Sequence, residues 1–114
     1  MNIHYLEIVT QDVDTEIAII ERAQGLVFGA PVTALGGARV AKTETGGSIG
    51  IRAPMHETEA AATRPYFLTE TLAETIEAVR ALGAEIALPP TEIPEHGTIA
   101  IYFVGDLQYG LWQN

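Results

Sequence analysis

Residues 64–86, RPYFLTETLAETIEAVRALGAEI, decide how this chain is read, because they spell a strand, a helix and the start of another strand in order. Pro65 to Thr69 carry the aromatic and apolar residues of a strand. Thr71 stands where a helix N-cap is expected, and Glu74 three residues on completes a capping box, in which hydroxyl and carboxylate each satisfy a free backbone N–H of the first turn. Ile76, Val79 and Leu82 recur every three residues and predict one buried stripe. Gly83 is placed to end the helix before Glu85–Leu88 extend again.

The same order occurs 59 residues earlier. Asn2 to Thr10 read as a strand with Leu6 and Ile8 on one face and Tyr5, Glu7 and Val9 on the other. Asp12 is the candidate N-cap of a helix over Val13–Gln24, with Asp14 and Glu16 at its positive end and Gly25 as its stop. The shift lays Asp12 on Thr71, Val13 on Leu72, Ile17 on Ile76, Ile20 on Val79 and Ala23 on Leu82, so cap and stripe coincide. Leu26 to Arg52, punctuated by glycine pairs, predicts three short strands and no helix. Residues 53–64, APMHETEAAATR, read as a connection with room for a helical turn, which leaves half-modules of about 1–52 and 65–114. Beyond the second helix, PPTEIPEHG reads as a proline-rich loop, TIAIYFV as a strand, Gly105-Asp106 as a tight turn and QYGLWQ as the last strand. Two units of one order within 114 residues predict a single α+β domain built on a repeated βαβββ module.

Composition narrows the function classes. A chain of this size buries roughly 65–70% of its unfolded surface and needs no disulfide or structural metal to hold together. It has no cysteine, which excludes Cys-based zinc sites and fits a reducing compartment. A net charge of −9 with six Lys and Arg repels nucleic-acid phosphates and anionic lipid. No segment has the apolar length of a signal peptide or a membrane span, so a cytoplasmic protein is expected. There is no Gly-x-Ser-x-Gly elbow and no Walker loop, and the glycine pairs read as hairpin turns.

Strand one with Glu7 five residues before Asp12, the segment 64–86, the phrase PPTEIPEHGTIAIYF and the ending GLWQ together resemble single-domain members of the glyoxalase/bleomycin-resistance/extradiol dioxygenase superfamily, also called vicinal oxygen chelate proteins. The resemblance spans nearly the whole chain and is clearest in its second half. It implies paired βαβββ modules forming a cupped mixed sheet with helices outside, and a homodimer. In metal-using members, four side chains from strands of the two halves, normally His and Glu, hold a divalent ion. Here those positions fall on Tyr5, Gly50, Arg64 or Pro65, and Gly110. A glycine has no ligand to offer and a guanidinium has no free lone pair, so the resemblance comes without the metal, and no cofactor is expected.

Strand alternation points Tyr5, Glu7, Arg52, Tyr66, Tyr102 and Trp112 into the cup. That set makes an aromatic-lined pocket with one acid and one base, suited to a flat organic ligand with a polar handle. The competing reading is a buried Glu7–Arg52 ion bridge with the aromatics as core. His4 reads as structural and His56 as part of a solvated linker, while His96, in a loop at the cup rim, joins the ligand-binding set. No His-x-x-His spacing occurs. Two functions stand side by side. One is a metal-independent small-molecule-binding protein of the resistance or sequestration type. The other is a lyase, isomerase or dioxygenase-like enzyme with Glu7 as general base and Arg52 or Tyr66 stabilising an anion, or with a metal site of unusual composition.

Overall fold

The computed structural model describes residues 2–114, which divide into two compact units. The first comprises Tyr5–Thr63; the second comprises Arg64–Asn114 with the residues preceding Tyr5. Among the described residues, no helix is long and apolar enough to cross a membrane.

The first unit is built from β1 (Ile3–Val9) from Tyr5 onward, α1 (Val13–Gln24), β2 (Arg39–Lys42) and β3 (Ser48–Arg52). β3 lies in the middle, parallel to β1 and antiparallel to β2. α1 has the expected bounds and ends at Gly25, whose left-handed φ of 69° lets its N–H reach the Glu21 carbonyl. Ile17 carries the buried face of α1 and packs on Phe28, Ala41 and Ile51, with Ile8, Val13, Ile20 and Ile49 around them. Ala23, the last position of the expected stripe, is exposed. The third strand expected between Leu26 and Arg52 does not form. Gly29 N–H donates to the Val40 carbonyl (3.0 Å) and Val32 bridges Ala38, but Pro31 between them has no N–H to extend a ladder. A single 3₁₀ turn, Thr33–Leu35, fills the space.

The second unit completes the pattern with β4 (Ala62–Leu68), α2 (Leu72–Ala81), β5 (Glu85–Ile93), β6 (Gly97–Val104) and β7 (Leu107–Gln113). β4 runs parallel to β7, and β7, β6 and β5 follow as an antiparallel meander. Leu72 and Ile76 of α2 pack on Ala100 and Leu111, so α2 covers the face of β6 and β7 that carries those two residues. β4 starts at Ala62 rather than Pro65, because its first covered position is Arg64, which hydrophobic alternation does not register. PPTEI is strand rather than loop. β5 pairs only with β6 among the strands of this unit, so Pro89 and Pro90 sit on its edge, where register shifts between Ile86 and Thr91 absorb them. The turn that follows holds Glu95 at φ 70°, left-handed for a residue with a side chain. Leu82 lies past the end of α2 and is 89% exposed, so the buried stripe is Leu72, Ile76 and Val79.

The two helix starts agree in a way the sequence did not advertise. Neither Asp12 nor Thr71 caps through its side chain, and the capping box expected at Thr71 and Glu74 is not made. Instead the N–H of Asp12 donates to Thr10 Oγ1 (3.2 Å) and the N–H of Thr71 donates to Thr69 Oγ1 (3.1 Å). Those two threonines donate their own N–H to the carbonyls of Arg52 (3.0 Å) and Trp112 (2.8 Å), at the end of β3 and one residue from the end of β7. At α2, the side-chain oxygen of Gln113 also accepts from the free N–H of Leu72 (2.9 Å).

Candidate functional site

Each unit carries candidate residues on the sheet face opposite its helix. In the first unit, Tyr5, Glu7 and Val9 share that face of β1, and the parallel register sets Glu7 beside Gly50 and Val9 beside Arg52. Arg52 is 4% exposed and organises the polar part. Its Nε–H donates to Glu7 Oε2 (2.8 Å), and its two terminal nitrogens donate to the two oxygens of Glu59 (2.8 and 2.7 Å). A further bond runs to the Ala53 carbonyl (3.2 Å), and Met55 N–H donates to Glu59 Oε1 (2.7 Å). The planar fork of a guanidinium is made for such two-point pairing. The hydrogen bonds from Arg52 hold the Glu59 carboxyl down at about 2, and those to Glu59 and Glu7 raise Arg52 above its already high ordinary value, so the guanidinium keeps its charge.

Glu59 was not among the residues singled out from the sequence. The available signal was donor arithmetic: a covered Arg has five N–H groups, one carboxylate cannot satisfy them, and the acidic connection MHETEA, residues 55–60, lies closest in the chain. His56, in the turn of that connection, is exposed, its ring nitrogen 2.8 Å from Thr58 Oγ1.

Tyr5 lies over Gly50 so closely that a Cβ built on that glycine would run into the phenol oxygen. Burial, and then the negative charge of Glu7, push the phenol well above its usual range, so Tyr5 is neutral.

The second unit repeats the motif with another chemistry. Tyr66 stands directly across from Gly110 in the β4–β7 register, and a Cβ at Gly110 would strike Cγ, Cδ2 and Cε2 of its ring. Trp112, two residues on, meets Tyr66 edge to face with ring centroids 5.8 Å apart, and His4 packs at 5.1 Å. The indole N–H donates to the His96 carbonyl (2.9 Å), so His96 acts here through its backbone. Burial lowers the affinity of His4 for a proton, which suits a neutral ring packed on indole. Arg64 lies 6.0 Å from the Tyr66 ring centre, on the same side of β4. Tyr102 does not join this group. It pairs with Tyr109 across β6 and β7, stacks on that ring at 5.4 Å and packs with the core under α2, because alternation along β6 puts it on the same side as Ala100.

No family model matches the sequence, and no curated protein matches it. Solved structures do match. A hypothetical protein from Bacillus halodurans superposes with a TM-score of 0.75 over 99% of this chain and 94% of its own, at 12% identity. A variant of Streptomyces coelicolor methylmalonyl-CoA epimerase, in complex with 2-nitronate-propionyl-CoA, gives 0.69 over 100% and 97%, at 17% identity. The methylmalonyl-CoA epimerase of Mycobacterium tuberculosis gives 0.70 over 96% and 85%, at 14% identity. This is the fold of the vicinal oxygen chelate superfamily. The vicinal oxygen chelate fold implies a divalent ion, and the residues at its positions do not fit one. In each unit, one of the two strand positions is a glycine, and a tyrosine ring occupies the place where a side chain from that glycine would begin. Among the described residues, no three His, Asp or Glu side chains converge on a point.

Proposed function

We propose that this vicinal oxygen chelate fold binds a small organic molecule without a metal ion, and that its ligand is flat, aromatic in part, and neutral or cationic. The observation that carries this reading is the pair of tyrosine-over-glycine contacts, Tyr5 on Gly50 and Tyr66 on Gly110, which replace ion ligands by aromatic surface. Tyr66 and Trp112 supply ring faces and edges for stacking. The charge preference follows from Arg52: one cation is bound by two carboxylates, so the cluster with Glu7 and Glu59 sums to −1 on a chain of net charge −9. Acyl-CoA, the ligand class of the epimerase complex, is polyanionic and would meet repulsion from that field. Sequestration in the cytoplasm, as a dimer, fits a chain without cysteine and without a nucleophile constellation.

Catalysis by Glu7 has less support, because Oε2 already accepts from Arg52 and the pair reads as the ion bridge foreseen as the competing case. Tyr66 and Trp112 are each 4% exposed, so a ligand reaches these rings only as side chains move aside, and association should be slow. The test is calorimetric and thermal-shift screening of protein stripped with chelator, against neutral and cationic aromatic compounds and anionic counterparts of equal size. Binding of the former, weakened at least tenfold by Trp112→Ala, supports the proposal. Binding only after reloading with Zn²⁺, Mn²⁺, Ni²⁺ or Fe²⁺, or preference for the anions, defeats it.

A further inference from the structure

We infer that Glu59 sets the charge of the ligand, by filling the carboxylate seat that the Arg52 guanidinium would otherwise present. The choice of ligand rests on the binding reading above, whereas the seat is given by the side chains themselves.

Arg52 has two carboxylate partners that differ in kind. Glu7 stands on β1, whose register with β3 fixes its place, and it accepts from Nε alone (2.8 Å). The Ala53 carbonyl accepts from one terminal nitrogen (3.2 Å). These two bonds orient the guanidinium without Glu59. The stem of Arg52 is held as well: its Cδ and the methyl of Met55 take up the place where a Cβ on Gly36 would lie. Glu59 occupies the outer edge that remains, with both terminal nitrogens donating to its two oxygens (2.8 and 2.7 Å). Two-point pairing of this kind is how arginine recognises a free carboxylic acid.

The outer partner is also the exchangeable one. Residues 53–61 form neither helix nor strand, and all but Pro54 and Glu59 are exposed. The hydrogen bonds within this segment are local: Glu59 N–H donates to the His56 carbonyl (3.1 Å), and Met55 N–H donates to Glu59 Oε1 (2.7 Å). The Glu59 side chain keeps 19% of its surface against 10% for Glu7, so the outer pair lies nearer to solvent. Without Glu59, Arg52 and Glu7 sum to zero charge and a fork of N–H donors faces outward. With Glu59 in place, an incoming carboxylate finds those donors taken and a like charge beside them. Selectivity is thus built by refusing the wrong ligand as much as by holding the right one.

Glu59→Ala removes a carboxyl group and one methylene, together the size of acetate. Calorimetry and thermal melts of that variant, titrated with sodium acetate against sodium chloride at equal ionic strength, test the seat. One acetate per chain should bind, at a Kd of roughly 1 mM, within reach of so few atoms. It should restore part of the lost Tm, while the wild type should not respond. Arg52→Lys added to Glu59→Ala keeps the charge but not the fork and should weaken acetate at least tenfold. With benzoate and its neutral counterpart benzamide as probes, Glu59→Ala should bind benzoate at least tenfold more tightly than the wild type does, without a matching gain for benzamide. A Glu59 that served stability alone would move none of these readouts. Acetate no more effective than chloride, acetate binding that survives Arg52→Lys, equal gains for benzoate and benzamide, or an unfolded Glu59→Ala protein that acetate does not refold, overturns the inference. A wild type that prefers benzoate would defeat the binding proposal and leave the acetate result standing.

Discussion

Arg52 ends the central strand of the first unit and Trp112 lies one residue from the end of the corresponding strand of the second, and each carbonyl accepts from the N–H of a threonine just before a helix. On that shared frame, one unit builds a cation held by Glu7 and Glu59 and the other builds an aromatic stack with Tyr66 and His4. Both place a tyrosine over a glycine. Backbone hydrogen bonding constrains where such positions lie, but nothing in the backbone dictates whether they hold a charge or a ring, so the halves could diverge in chemistry while keeping one topology.

The largest expected break in that comparison comes from removing Arg52 or Trp112. Arg52→Ala takes the guanidinium from a covered carboxylate and should cost about 3–5 kcal/mol. Trp112→Ala should cost a similar ~3–5 kcal/mol through lost packing. Urea melts separate the two causes: replacing Glu7 by Gln in the Arg52→Ala background should recover part of the loss, whereas the Trp112→Ala loss should not respond to it. Equal responses would erase the distinction between a polar and an aromatic half.

The next effect sharpens the tyrosine-over-glycine motif. At Gly110 the added methyl meets the root of the Tyr66 ring, which cannot swing clear, and Gly110→Ala should cost about 3 kcal/mol or more. At Gly50 it meets the far end of Tyr5, the phenol oxygen first, and Gly50→Ala should cost about 1–2 kcal/mol. Tyr5→Phe removes that oxygen and should relieve much of the Gly50→Ala penalty, while Tyr66→Phe should relieve none of the Gly110→Ala penalty. Thermal unfolding of the two double variants decides it, and rescue at Gly110 by Tyr66→Phe would mean the ring sits elsewhere.

The smallest effect is in the pH dependence. The Glu59 carboxyl is depressed in the folded state from its ordinary 4.5 to about 2, so its contribution is complete above 4.5 and disappears as pH falls towards 2. Glu59→Gln should cost about 1 kcal/mol near neutrality, given partial exposure, and should flatten stability between those two values. Hydrogen exchange should report that loss in the first unit alone; an acid response shared equally by β6 and β7 would contradict it.

Much of the element order was legible in advance. Periodicity with caps and stops located α1 to the residue, and the 59-residue shift found buried Ile17 and Ile76 together, because a helix that packs one face leaves a 3.6-residue record. Strands were harder. The expected strand through Gly29 and Pro31 shrank to one bridge, and PPTEI became strand, because ladder formation depends on which neighbour is present and a proline is harmless on an edge. Tyr102 was placed on the wrong face of β6 for a related reason: period two names two faces but not which one the helix covers. Of the candidate cluster, Glu7 and Arg52 came from alternation, whereas Glu59 came from an irregular connection that carries no period.

By itself, then, the sequence determined two strand–helix–strand units and the faces on which Ile17 and Ile76 are buried, since these are properties of local spacing and residue type. Only the tertiary structure decided that Glu59 closes on Arg52, that Tyr5 and Tyr66 fill the places the glycines leave empty, and that Trp112 donates to His96. Those contacts join residues from 7 to 45 positions apart, and how a guanidinium or a ring is satisfied at such separations depends on the strand register that brings the chain back to it.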